Sequence, residues 1–201
     1  MATTTLERPQ TNWLTVGLWL TASLIGYGLV GIMFHFPSGF PPNNGNEFNG
    51  GAFFGGAMQG ILSGIVVGFL QWLVLRRHIV GAGRWVLWTA IGLGIVHAFG
   101  DALPDPVAIP VVSIFGGVVL GATQWFALRS AFDKVWLWII TTGISWAIGM
   151  TIGLTLTDAM GLRDQPWTPQ VGATEHGLVG LAVGLGYGIA TGLLLARTAK
   201  R

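Results

Sequence analysis

Charge is scarce in this chain: 9% of its 201 residues are Asp, Glu, Lys or Arg, against roughly 25% in ordinary soluble domains. Cysteine is absent, which excludes disulfides, thiolate metal sites, thioether haem attachment and cysteine nucleophiles. Two of the residue types that disordered segments are built from are also missing as tracts. The 32 glycines carry no collagen period and no Ser or Gln companion runs. Enzyme signatures are lacking as well: there is no HExxH, no Walker loop and no nucleophile elbow. GLGYG at 184–188 lies inside an apolar run with no strand before it, so a dinucleotide-binding reading fails. Catalytic residues and metal ligands are therefore not nominated, and a non-enzymatic protein is expected. The net charge of +2 comes from basic residues strewn along the loops and does not point to nucleic acid.

What is present is apolar. Mean hydropathy is +0.65, and glycine is about twice its usual share of roughly 7%. Glycine is favoured in transmembrane helices because it lets backbones approach closely. The ten Trp fit the same class, since indole rings favour membrane–water boundaries. Six runs are long enough to cross about 30 Å of hydrocarbon, at about 13–36, 52–75, 85–102, 107–128, 136–157 and 176–196. Thr11 or Asn12 is placed to cap the first helix. The prolines stand between these runs or at their margins, Pro110, Pro166 and Pro169 among them.

The basic residues Arg8, Arg76, Arg77, Arg84, Arg129, Lys134, Arg197, Lys200 and Arg201 fall on one side of such a six-span layout, and Arg163 alone on the other. The positive-inside rule makes the first side cytoplasmic, with both termini there. The expected location is the bacterial cytoplasmic membrane, with the first span kept as a signal anchor.

One phrase occurs twice. Residues 68–77 read GFLQWLVLRR and residues 121–130 read GATQWFALRS. Each closes an even-numbered span. Each is followed by a short basic loop and then Trp again, Trp85 and Trp88 in one case, Trp136 and Trp138 in the other. The unit is a helical hairpin, repeated at about 13–77, 85–129 and 136–197 within a single membrane domain covering 1–201. In the third copy Thr191 and Gly192 stand where Gln and Trp are due. Small residues recur every fourth position along the even spans: Gly56, Gly60, Gly64 and Gly68, then Ser113, Gly117 and Gly121, then Gly180, Gly184, Gly188 and Gly192. Such faces let helices pack at close range. The expectation is an all-α membrane protein in which three parallel hairpins form a pseudo-threefold bundle. Its even helices, with their glycine zippers, are expected inside and its odd helices outside. The phrase resembles one found in bacterial multi-spanning membrane proteins, including those of cyanobacteria and green non-sulfur lineages. There Gln-Trp-Leu-Val-Leu-Arg recurs in hairpins; residues 71–76 here read QWLVLR and residues 124–129 read QWFALR. The resemblance implies a shared helical-repeat fold and carries no activity with it.

Within the phrase, Trp72 and Trp125 suit a boundary belt, and Arg76 and Arg129 suit headgroup contact. Gln71 and Gln124 lie near the glycine face. Their amides either bond between helices or form a polar ring on the axis that touches a solute or cofactor; Gln59 poses the same choice. At the opposite boundary stand His35, His97, Asp101, Asp158, Glu175 and His176. His97 and Asp101 are four apart and share a helical face. Three roles compete for His97: donating to Asp101 or a backbone carbonyl, ligating a porphyrin-type pigment or a metal, or taking part in proton or ion passage. His97, Gln71, Gln124 and His35 are thus the candidate cofactor-contacting residues. No cofactor is required, and a pigment or quinone is the candidate. The expected function is a structural or accessory subunit of a larger membrane complex, with lipid, quinone or pigment as cargo and other membrane subunits as partners. The alternative is a small passive channel or permease. A lipid-acting enzyme built on His97, Asp101, Asp158 and His176 would need a helix order that sequence alone does not supply.

Overall fold

The computed structural model describes residues 12–33, 47–131, 134–166 and 168–198. They form six helices: α1 (Trp13–Met33), α2 (Gly50–Leu75), α3 (Arg84–Ala102), α4 (Asp105–Leu128), α5 (Trp136–Ala159) and α6 (Pro169–Thr198). All six are long and apolar enough to cross a membrane. Their starts are written locally. The Asn12 side chain accepts from Thr15 N at 3.2 Å, and Asn49 accepts from Ala52 N at 3.1 Å. The Thr168 hydroxyl accepts from Val171 N at 3.2 Å. Each satisfies an amide that the helix itself leaves without a partner. Two glycines take positive φ where the chain turns out of a helix, Gly81 at 77° and Gly161 at 63°.

Among the described residues, the start of α6 departs furthest from the sequence reading. α6 begins at Pro169, seven residues before the expected start. Proline at the first helical position loses no bond and is already set at a helical φ, so Pro169 opens this helix instead of separating it from a loop. α4 begins at Asp105, and Pro110, expected at a span margin, lies inside it. Glu175 and His176 consequently lie within a helix.

The helices form a ring. Among the described residues, backbones approach only between chain neighbours, and α1 closes onto α6. The expected interior of even helices is therefore corrected: α2, α4 and α6 do not pack on one another. Their glycine faces turn sideways and each receives the odd helix that follows. Gly60 lies on Leu93 and Gly94, Gly64 on Thr89 and Ala90, and Gly68 on Val86, so α2 seats α3. Gly117 and Gly121 lie on Trp146, Thr142 and Ile139, so α4 seats α5. Gly180, Gly184 and Gly188 lie on Tyr27, Ser23 and Leu20, so α6 seats α1. A side chain at Gly60, Gly64, Gly117, Gly121, Gly180 or Gly184 would occupy space now filled by the neighbouring helix's backbone.

The three indoles at the centre come from the odd helices. The rings of Trp19, Trp85 and Trp138 meet edge to face, with centroids 5.6, 5.9 and 5.6 Å apart. Tyr187 of α6 packs against Trp19 and Trp138, at 6.4 Å in both cases. Trp19, Trp85 and Tyr187 are wholly buried. These tryptophans are core residues, not boundary markers. An indole can be buried when its N–H finds an acceptor, and here each does. Trp13 and Trp136, at 69% and 55% exposure, keep the boundary character. The phrase also has a surface part. Arg76 lies 5.1 Å from the Trp72 ring centre and Arg129 lies 5.7 Å from that of Trp125, cation–π pairs one helical turn long.

Candidate ligand cavity and the network beneath it

The buried polar groups form a chain of repeated links. Trp85 Nε1 donates to Gln71 Oε1 at 3.1 Å, and the Gln71 amide donates to Ser23 Oγ at 3.0 Å. One hairpin later, Trp138 Nε1 donates to Gln124 Oε1 at 3.0 Å, and the Gln124 amide donates to Thr89 Oγ1 at 3.2 Å. Trp19 Nε1 donates to Thr191 Oγ1 at 2.8 Å, in the position that Gln holds elsewhere. Each Gln thus ties the odd helix before it to the odd helix after it. Thr191 is too short to do both. Its hydroxyl donates back to the carbonyl of Tyr187, and Thr142 Oγ1, the counterpart of Ser23 and Thr89, is left without a partner among the described residues. Tyr187 partly substitutes, donating its hydroxyl across the centre to Gln124 Oε1 at 3.0 Å.

Above this layer, at the end of the ring away from residues 12 and 198, a cavity of about 340 Å³ opens between the helices. Its deep part is apolar and aromatic, with Tyr27, Val96, Val112, Trp146 and Val183. Trp146 donates Nε1 to the Val112 carbonyl at 3.1 Å. The Tyr27 ring sits edge-on to Trp146 at 5.9 Å and to Tyr187 at 5.6 Å. Tyr27 is 4% exposed, yet its hydroxyl has no partner among the described residues. The mouth is polar, with Gln59, His97, Asp101, Arg163, Glu175 and His176. Arg163 straps it, with Nη1 3.3 Å from Asp158 and Nε 3.7 Å from Glu175. His176 Nδ1 pairs with the Gly172 carbonyl at 3.0 Å. The Asp101 carboxylate rests against Gly56 of α2, where any side chain would displace it.

Of the residues singled out in the sequence, His97, Asp101, Glu175 and His176 come together at this mouth, drawn from α3 and α6. Asp158 lies beside it, paired to Arg163. Gln71 and Gln124 do not line the cavity; both are engaged in the network beneath it. His35 lies outside the described residues. Tyr27, Trp146 and Arg163 were not singled out as site residues. A signal for part of the site does exist in the repeat register. Gln59 stands twelve residues before Gln71, and the matching positions before Gln124 and Thr191 are Val112 and Val179. His97 stands twelve residues after Trp85, and the matching positions after Trp19 and Trp138 are Gly31 and Met150. All six line the cavity. One polar member in each set marks where the repeat departs from itself.

Among the described residues, no three His, Asp or Glu side chains are grouped so as to hold a metal. The class of protein defined here is a ring of six apolar helices around an aromatic centre, with a cavity lined from several of them. Searches of known protein families, curated proteins and solved structures give no match to the chain. Its function has to be read from the cavity.

Proposed function

We propose that this chain is a non-enzymatic polytopic membrane protein that holds one small ligand in its cavity, as an accessory component of a larger membrane assembly. The observation that carries the reading is a cavity of about 340 Å³ at one end of a ring whose middle is filled by buried aromatic rings. Ligand sites are concave, mostly apolar and equipped with a few converging polar groups, at about 300–1,000 Å³. This one has the right size for a small molecule and is too small for a whole two-chain lipid. Those rings form the cluster of Trp19, Trp85, Trp138 and Tyr187. It fills the middle of the ring where a passive channel would need open space, so the holding reading is favoured over the channel.

The same reading takes the chain as three parallel hairpins about an axis along the membrane normal. The recurring Trp-to-Gln-to-hydroxyl links support it. With the basic end cytoplasmic, the cavity opens outward. Gentle extraction from the native membrane followed by native mass spectrometry tests the proposal. Wild-type protein is expected to carry a stoichiometric small molecule. Met150→Trp, which fills a half-buried position on the cavity wall, is expected to lose it. Identical spectra from both proteins, with phospholipid as the sole adduct, would contradict the reading.

A further inference from the structure

Resting on the ligand-holding reading, we infer that the cavity takes a small organic cation with an apolar body, its ammonium group held by Asp101. The charges that face the cavity are few. Glu175 is answered by Arg163. Asp101 has no ion pair among the described residues, although it is half-buried on an apolar helix. Among the described residues, the lining therefore carries one carboxylate, that of Asp101, which no Lys or Arg answers. A carboxylate withdrawn from water near hydrocarbon is costly unless a cation or several donors meet it. The cavity is also lined by the Gln59 amide and the imidazoles of His97 and His176. The Gln59 carbonyl oxygen can accept from the hydrogens of an ammonium group as well.

The deep part accounts for the other end of the ligand. From Glu175 to Val183 the wall of α6 descends eight residues, about 12 Å at 1.5 Å per residue. The lining over that depth is aliphatic, ending on the Trp146 ring. Trp146 and Tyr27 present π-faces and edges suited to an unsaturated or slim aliphatic body. The unpartnered, buried Tyr27 hydroxyl is a donor for a second polar atom, such as a ligand hydroxyl or carbonyl, at the far end. A carboxylate above, an apolar shaft and one hydroxyl below describe an amphiphilic amine better than an anion or a neutral hydrocarbon. An anion would face Asp101 unscreened, and a hydrocarbon would leave both polar ends without partners.

The test is a calorimetric titration of full-length protein in lipid nanodiscs, with empty nanodiscs subtracted. The probes are octylammonium, octanol and octanoate, which share a chain and differ in the head. Octylammonium is expected to bind at one per chain and on the order of tenfold tighter than the other two, the scale of a hydrogen bond to a charged group. Asp101→Asn is expected to bring octylammonium down to the octanol affinity, and Asp101→Glu to preserve most of the preference. Met150→Trp should abolish binding of all three. Equal affinities for the three heads, or an ammonium preference that survives Asp101→Asn in a protein with unchanged thermal unfolding, would overturn the inference while leaving a ligand-holding cavity. Absence of saturable binding by every probe to wild-type protein would overturn both.

Discussion

Ser23, Thr89 and Thr142 occupy the same step of the three odd helices, four residues after Trp19, Trp85 and Trp138, but their hydroxyls have different company. Ser23 and Thr89 accept from a Gln amide; Thr142 has no such donor. Losing an acceptor strands a buried amide, at about 1–3 kcal/mol, whereas losing an unpartnered hydroxyl strands nothing. Thr89→Val is therefore expected to destabilise the protein by about 1–3 kcal/mol. Thr142→Val, of nearly the same shape, is expected to be neutral within about 0.5 kcal/mol or slightly stabilising. Unfolding in a graded detergent series measures both, and equal losses would mean that the Gln links carry no stability. Part of this was legible in the chain itself. The repeated Gln-Trp phrase marked Gln71 and Gln124 as polar groups needing partners, and the drift to Thr191 was visible. The partners were not legible, because Trp85 and Trp138 reach each Gln from a helix whose rotation the sequence leaves open. For the same reason Trp85 and Trp138 read as boundary residues when they are core.

Helices pair in this ring by shape. A four-residue glycine spacing says that a helix has a smooth face; it does not say which neighbour the face meets. Packing of even helices on each other and seating of the next odd helix differ by a rotation about the helix axis, and both satisfy the spacing. The seating arrangement lets the odd helices bring three indoles to the centre, where they fill space that three glycine faces would leave empty. The position of each glycine then decides its tolerance. A Cβ on Gly60 would strike the Leu93 backbone, while one on Gly17 would meet nothing within 4 Å. Gly60→Val is expected to cost about 3 kcal/mol or more, or to prevent folding, because backbone cannot yield as a side chain does. Gly17→Ala is expected to stay within about 1 kcal/mol of neutral. Thermal unfolding and folded yield distinguish the two, and an undisturbed Gly60→Val would mean that α2 does not seat α3. The earlier start of α6 has an equally local cause: Thr168 and Pro169 together make a helix opening, which a reading of proline as a breaker misses.

At the scale of the molecule, the two ends of the ring do different things. Toward the end bearing Arg76, Arg84 and Arg129, Gln71 and Gln124 make matching links and Thr191 a shorter one, and with the three indoles they build the aromatic and amide layer. Toward the other end the copies differ, and Gln59, His97, Asp101, Glu175 and His176 are the differences. Six spans and the gathering of polar residues at one end were legible from hydropathy and spacing. That His97 and Asp101 of α3 share one cavity with Glu175 and His176 of α6 was not, since it depends on the ring closing between α1 and α6. The central claim is that this cavity holds a ligand between Asp101 and Tyr27. An experimental density map of the protein extracted from its native membrane, with no ligand added, tests it most directly. The account predicts continuous non-protein density from the Asp101 carboxylate to within hydrogen-bond reach of the Tyr27 hydroxyl. A cavity collapsed so that Val96, Met150 and Val183 touch, with the Tyr27 hydroxyl bonded to a protein group, would contradict it.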